Sequence, residues 1–159
     1  MSTDPPGFEL PIRLLLGFRV IVDALHEELA RQGHPDVRPV HAFVLQAVGP
    51  DGCTAVELGR RLGVSKQAAA KHVDVLSGLG YVQRETDPAD ARRRTIRLTD
   101  RAVDVLRRSA TIFDELRSGW VEQLGADRLR ALEDDLRTMT AAAPLRLDVP
   151  GWFTDSGRG

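Results

Sequence analysis

Apolar residues recur every three or four positions through residues 9–31, and this spacing predicts one long helix. The main apolar stripe consists of Leu14, Phe18, Ile21, Leu25 and Leu29. A second apolar face carries Leu10, Leu15, Leu16, Val20 and Val22. A helix that is apolar on more than one side is generally buried on more than one side. In a chain of 159 residues, the pattern therefore indicates contact with a partner chain.

Two short helices and a tight turn follow this long helix. A second helix is predicted over residues 38–48. Thr54 opens a third, because Glu57 follows it at the spacing of a capping box. Gly63 permits a tight turn, and Ser65 is a favourable cap for a fourth helix. This order of helix, turn and helix is typical of a DNA-reading unit.

Strand and turn signals follow the fourth helix, which is predicted to end near residue 79. Residues 81–84 and 95–98 are strand candidates, and residues 87–90 have the composition of a turn. Thr99 is positioned to cap a long fifth helix. A helix-turn-helix followed by such a hairpin predicts a winged helix-turn-helix.

The last third of the chain returns to helical spacing. The predicted stripe of the fifth helix consists of Val103, Leu106, Ala110, Phe113, Leu116 (or Arg117), Trp120 and Leu124. Gly125 ends that helix, and a sixth is predicted over residues 126–142 with Leu129, Leu132, Leu136 and Met139. The fold class predicted from the whole chain is mainly α with a small β-wing, a single domain of six helices.

Charge and composition narrow the class of protein. No apolar run reaches the roughly 18 residues of a membrane span, and the first ten residues lack the pattern of a secretion signal, so we expect a cytoplasmic location. Residues 60–101 hold ten basic and five acidic residues, a net charge of +5, whereas the rest of the chain carries −6. This asymmetry predicts a basic contact surface on an acidic body, although a charged run is often only a solvated face.

The start of the fourth helix supplies the first candidate DNA contacts. Its polar or small side chains are Ser65, Lys66, Gln67, Ala68, Ala70 and Lys71. Gln67 can read an adenine edge by two hydrogen bonds. Small residues let a helix approach the groove floor, and the lysines can reach phosphates. The alternative is an ordinary exposed helix face.

The tip of the hairpin supplies the second set. Arg92, Arg93 and Arg94 follow one another beside Asp90, and Arg84 lies on the first strand. Adjacent cations repel one another unless an anion receives them, and a narrow minor groove accepts inserted arginine. Asp90 can hold an arginine by a charge-assisted pair. The alternative is a solvated loop.

The wing segment resembles that of the MarR family of bacterial transcription regulators. The family pattern is an Asp, an Arg two residues later, and a Leu-Thr that opens the next helix; Asp90, Arg92, Leu98 and Thr99 occupy these places. The resemblance covers residues 10–142. It implies that Arg92 enters the minor groove, that Asp90 steadies the wing and that the fourth helix reads the major groove. His72 departs from the family, where an apolar residue is common.

The resemblance also implies a homodimer held by the first, fifth and sixth helices. The expected organisation is a flexible start at residues 1–8, a dimerisation region at 9–36 and 100–142, a winged helix-turn-helix at 37–99, and a tail at 143–159. The tail contains Trp152 and Phe153, for which the resemblance offers no role.

Many relatives of this family release DNA when a small, often aromatic and anionic molecule binds. The residues expected to line such a pocket are Phe18, Arg19, His41, Phe43 and Trp120, each of which could equally be a plain core or surface residue. Cys53 is the single cysteine, and it is interpreted as a small hydrophobe rather than a thiol sensor.

The sequence contains no firm metal spacing, cofactor motif or catalytic motif, so no enzyme is predicted. The function expected from the sequence is that of a homodimeric repressor that binds a pseudopalindromic operator in double-stranded DNA and is released by a small ligand. The alternative is a winged-helix adaptor that binds protein instead of DNA, against which the three wing arginines argue.

Overall fold

The computed structural model describes residues 4–143. Trp152 and Phe153, with the rest of the predicted tail beyond residue 143, lie outside the described residues. Within them, the elements in chain order are α1 (Glu9–Arg31), α2 (Pro39–Val48), α3 (Ala55–Leu62), α4 (Lys66–Gly78), β1 (Val82–Thr86), β2 (Arg94–Leu98), α5 (Asp100–Leu124) and α6 (Ala126–Thr140). The predicted fold class, mainly α with a small β-wing, is confirmed.

Local capping chemistry fixes where the short helices begin. The Thr54 hydroxyl accepts from the backbone N–H of Glu57 at 3.2 Å, and the Glu57 carboxylate accepts from the N–H of Thr54 at 2.7 Å. Both ends of this capping box satisfy amides that the first turn leaves unpaired. Gly63 then adopts the left-handed conformation, with φ at +69°, which a residue without a Cβ adopts at little cost. These contacts confirm the predicted start of α3 and the turn after it.

The wing is a two-stranded antiparallel hairpin with a third partner. Val82 pairs with Leu98, and the register continues to Thr86 opposite Arg94. Cys53 adds an isolated bridge to Ile96 through two backbone hydrogen bonds, of 3.0 and 2.7 Å. β1 begins one residue later than predicted and continues to Thr86, and β2 begins one residue earlier, so that Arg94 opens β2 instead of lying at the tip.

A single apolar core joins the segment from α2 to β2, called the reading unit below, to the long helices α1 and α5. Its fully buried members include Leu29, Val44, Leu58, Val73 and Tyr81. Cys53 is also buried, and burial raises the pKa of its thiol. Because a thiol with a raised pKa is a poor source of thiolate, Cys53 has the character of a core residue.

The buried side of α5 differs from the predicted stripe. The buried residues are Ala102, Val105, Ser109 and Ile112, whereas Val103, Phe113 and Leu124 are exposed. This is the side of α5 that packs against α1 and α2. Ser109 is tolerated there because its hydroxyl donates to the carbonyl of Val105 at 2.7 Å.

The long first helix is buried over only part of its length. Leu25 and Leu29 lie in the core. Its N-terminal half exposes Leu10, Ile12, Leu14, Leu15, Leu16, Phe18 and Val20. None of the described helices is both long enough and apolar enough to cross a membrane.

Candidate nucleic-acid interface

The N-terminal half of α4 presents a polar, basic surface. Lys66, Gln67 and Lys71 are exposed, whereas Ala68 and Ala70 are half-buried. The opposite side of the helix buries Ala69, Val73 and Leu76. The helix therefore holds its core side fixed and leaves the predicted reading side open to solvent.

Ser65 has a structural task at the start of this helix. Its hydroxyl oxygen accepts from the backbone N–H of Ala68 at 3.1 Å. This cap leaves the hydroxyl proton free to donate outward, so a contact from Ser65 to a phosphate is compatible with the cap.

Gly59 lets α3 and α4 approach closely, a role for which no local sequence signal exists. A Cβ at this position would lie 2.9 Å from the carbonyl oxygen of Val64 and 3.3 Å from the backbone nitrogen of Lys66. Both are backbone atoms, one in the turn and the other at the first residue of α4. The absence of a side chain at Gly59 thus sets how closely α4 packs against α3.

Backbone hydrogen bonds close the loop at the wing tip. Asp87 donates to the carbonyl of Arg93 at 3.0 Å, and Arg93 donates to the carbonyl of Asp90 at 2.9 Å. The Asp90 carboxylate accepts from the backbone N–H of Arg92 at 3.0 Å. Asp90 therefore orders Arg92 through its backbone, in place of the side-chain pair that the sequence suggested.

The wing arginines are open to solvent. Arg92, Arg93 and Arg94 are all exposed, and their guanidinium groups form no ion pair within 4.0 Å in the described part of the chain. By contrast, Arg97 on the same hairpin contacts Glu85 at 2.6 Å. The three charges are therefore available to an outside anion.

Arg84 is held differently from the other candidate contacts. Its guanidinium contacts the Asp74 carboxylate at 2.6 Å and thereby joins β1 to α4. Sequence reasoning missed Asp74, because nothing in the local pattern pairs a helix residue with a strand ten positions later. The structure thus places Arg84 in an ion pair that links the wing to the reading helix.

A cavity of about 580 Å³ lies beside α2 and α4. Its lining consists of Pro35, Asp36, Arg38, Val40, His41, His72, Val75 and Leu79. Of the five predicted pocket residues in the described chain, His41 alone lines it. Phe18 and Arg19 lie on the exposed half of α1, and Phe43 and Trp120 are half-buried elsewhere.

Burial lowers the pKa of three histidines near this region. Desolvation is the main cause for His26, His41 and His72. The charge of Arg38 lowers the pKa of His41 further. All three rings therefore favour the neutral form, which fits the half-buried position of His72. Among residues 4–143, no group of three or more His, Cys, Asp or Glu side chains is arranged to hold a metal ion.

Comparison with known proteins shows which family this geometry resembles. A model described as "MarR family" matches residues 36–93, which span α2, α3, α4, β1 and the wing loop. The LexA repressor of Deinococcus radiodurans is 33% identical over 88 residues, which are 54% of this chain and 40% of that protein. The uncharacterized HTH-type transcriptional regulator YcgE of Bacillus subtilis is 46% identical over 55 residues, 35% of this chain and 34% of that protein. The chain thus matches less than half the length of either relative.

Solved structures share the fold over most of both chains. RV1404 from Mycobacterium tuberculosis has a TM-score of 0.71 at 22% identity and covers 90% of this chain and 98% of its own. The reduced form of MarR from E. coli has a TM-score of 0.65 at 24% identity, with coverage of 87% and 98%. A MepR mutant of S. aureus, bound to an oligodeoxyribonucleotide, has a TM-score of 0.61 at 18% identity, with coverage of 86% and 98%. The MarR family model matches residues 36–93, and solved structures that include MarR itself share the fold over most of the chain. The predicted resemblance of the chain to the MarR family is therefore confirmed.

Proposed function

We propose that this chain is a transcriptional regulator that binds double-stranded DNA in a sequence-specific manner. The observation that carries the proposal is the set of wing arginines, exposed and without ion pairs in the described residues, on the same reading unit as the open basic face of α4. The rest of the chain is acidic. A phosphate backbone is the partner that such a surface fits.

In this proposal α4 lies in the major groove. Gln67 reads a base edge, and Lys66 and Lys71 contact phosphates or bases. Ala68 and Ala70 let the helix approach the base pairs because their side chains are small. Ser65 donates to a phosphate while its oxygen caps the helix.

The wing lies beside α4 and inserts Arg92 into the minor groove. Narrow minor grooves concentrate negative potential and attract arginine. Asp90 supports this by ordering the backbone of Arg92. Arg93 and Arg94 add phosphate contacts, and Arg84 holds the wing against α4 through Asp74.

The regulator acts as a homodimer held by α1, α5 and α6. The support is apolar surface that a single chain leaves exposed on these helices, including Leu16, Val20, Phe113, Leu132 and Met139. Residues 9–36 and 100–142 then form the dimerisation region, and residues 37–99 the reading region. Two copies of α4 about 34 Å apart would read half-sites one DNA turn apart, so the operator is pseudopalindromic.

Repression with release by a small ligand is the proposed mode of control. By its name, the Deinococcus relative is a repressor, and a dimer seated on a promoter excludes polymerase. The cavity beside α2 and α4 is large enough for a small molecule. Because it borders the reading helix, a ligand there would act on the position of α4.

Selection of bound duplexes from a random pool, followed by sequencing, tests the proposal. We expect a half-site repeated at one-turn spacing, with affinity that falls by roughly 0.9 log units per decade of salt for each phosphate neutralised. Recovery of no sequence, or binding that ignores both sequence and salt, would refute DNA reading and favour a protein-binding adaptor.

A further inference from the structure

A buried histidine joins three parts of the chain that lie far apart in sequence. His34 sits in the turn between α1 and α2 and is 4% exposed. Its Nδ1 lies 2.8 Å from the hydroxyl of Tyr81, and its Nε2 lies 2.9 Å from the carboxylate of Asp104. Both ring nitrogens are thus engaged, one with the residue before β1 and the other with α5.

The chemistry of Asp104 fixes the direction of its hydrogen bond with His34. The guanidinium groups of Arg108 and Arg107, together with His34, hold the pKa of Asp104 well below its usual range, so this carboxylate is ionised and only accepts. His34 therefore carries a proton on Nε2 and donates it to Asp104. The Tyr81 hydroxyl, whose pKa burial raises, keeps its proton and lies within hydrogen-bond distance of Nδ1.

Tyr81 stands at the junction of the reading helix and the wing. Its backbone N–H donates to the carbonyl of Leu76 near the end of α4, at 2.8 Å, and its carbonyl accepts from Thr99 at the start of α5, at 3.1 Å. Its ring is fully buried and lies 4.8 Å from the guanidinium carbon of Arg101. A shift of Tyr81 would therefore move the end of α4 and the base of the wing together.

We propose that His34, Tyr81 and Asp104 are positioning residues that set α4 and the wing relative to α5. The inference rests on the proposed DNA binding and dimerisation. Since α5 belongs to the proposed dimer region, this cluster sets how the two reading helices of a dimer are placed with respect to two half-sites. None of the three residues belongs to the proposed contact surface, so their effect on DNA is indirect.

The test variant is Tyr81→Phe, which removes one hydroxyl and keeps the ring against Arg101. A matched control is Ser109→Ala, which removes another buried hydroxyl, one turn beyond Asp104 on α5. Affinity is measured by fluorescence anisotropy with the duplex selected by the unmodified protein. We expect Tyr81→Phe to weaken binding roughly 2- to 30-fold, the range for residues that act through a network without contacting the ligand, and Ser109→Ala to leave it unchanged.

A double-mutant cycle with Arg92→Ala separates positioning from a general loss of folded protein. If Tyr81 acts by placing the wing, the loss of affinity in the double variant is smaller than the product of the losses in the two single variants. The reason is that a misplaced wing costs less affinity once the Arg92 contact has already been removed. Loss of folded protein would multiply the two effects. Far-UV circular dichroism checks folding, and Asp104→Asn replaces Tyr81→Phe if the latter does not fold.

The outcomes are distinct. If the unmodified protein selects no duplex, the proposed function fails and this inference fails with it. If it binds a selected duplex and Tyr81→Phe matches it in affinity, or the cycle is fully multiplicative, the inference alone is overturned.

Discussion

The guanidinium of Arg92 is exposed and forms no ion pair within the described chain, and the Asp90 carboxylate accepts a hydrogen bond from the backbone N–H of Arg92. We expect Arg92→Ala to weaken operator binding by about 1–3 kcal/mol, since a wing arginine in the minor groove contributes charge and shape readout. The measurement is a mobility-shift or anisotropy titration with the selected duplex.

Arg130→Ala is the control for the loss of one positive charge. Arg130 is exposed on α6, where its guanidinium lies 3.4 Å from the Asp127 carboxylate. Its removal should leave DNA affinity unchanged, and because α6 belongs to the proposed dimerisation region, sedimentation equilibrium checks that the variant is still a dimer. Equal affinity for both variants would remove Arg92 from the proposed interface.

Replacing either of two glycines in the reading unit by alanine should change the free energy of unfolding, in opposite directions at the two sites. Gly59→Ala places a Cβ 2.9 Å from a backbone oxygen, so we expect a loss of about 1–3 kcal/mol in the free energy of unfolding, as for overpacking. Gly78→Ala meets nothing within 4 Å at the end of α4 and should gain roughly 0.5–1 kcal/mol. Urea denaturation measures both, and a stable Gly59→Ala protein would contradict the proposed close approach of α3 and α4.

Residues whose role is local were predictable from the sequence, and residues whose role is distant were not. Thr54, Gly63 and Ser65 act on amides or turns within four positions, and each was predicted. His34 and Asp104 are 70 positions apart, and Asp74 meets Arg84 across two elements. No periodicity or capping rule reaches over such separations, so these contacts required the fold.

At the scale of elements, helix type and boundaries were predictable because caps and apolar spacing are local, but the phase of burial was not. On α5, Phe113 and Leu124 belong to the predicted apolar stripe, and they are exposed, whereas Val105 and Ile112 are buried. Which side a helix buries depends on the neighbour it packs against and on how closely. Packing against neighbouring helices likewise determines which part of α1 is buried within the single chain and which part is exposed.

Histidines on α1, α2 and α4 should make stability depend on pH. Burial lowers the pKa of His26, His41 and His72 below the ordinary value of 6.5, so the folded chain disfavours their charged forms. The unfolded chain then binds more protons once the pH falls through about 6.5, and stability falls with it. Above that pH the three rings are neutral in both states and the effect vanishes.

Urea denaturation between pH 8 and pH 5 measures this dependence. His72→Gln keeps a polar side chain without a titrating ring, and we expect a shallower fall in the free energy of unfolding below pH 6.5 than in the unmodified protein. An equally steep fall in the variant would show that His72 takes no part.

At the scale of the whole molecule, the apolar surface outside the reading unit has to be explained. Leu14, Leu15, Leu16 and Phe18 are exposed along consecutive turns of α1. A contiguous exposed apolar patch is unusual on a soluble monomer and marks an interface. The proposed homodimer would cover this patch, and it would also supply the second copy of α4 that a pseudopalindromic operator requires.

Leu16→Glu tests this account against a matched change elsewhere. Leu16 on α1 and Val56 on α3 are both 47% exposed in the single chain. A glutamate at either site is therefore equally exposed to water unless a partner chain covers it. In the proposed dimer only Leu16 is covered, and a buried unpaired carboxylate is strongly unfavourable. Sedimentation equilibrium should therefore show the dimer of Leu16→Glu weakened by at least about tenfold, while Val56→Glu remains dimeric. If both variants sediment like the unmodified protein, or if the unmodified protein is a monomer, α1 is not the interface and the paired reading of the operator fails with it.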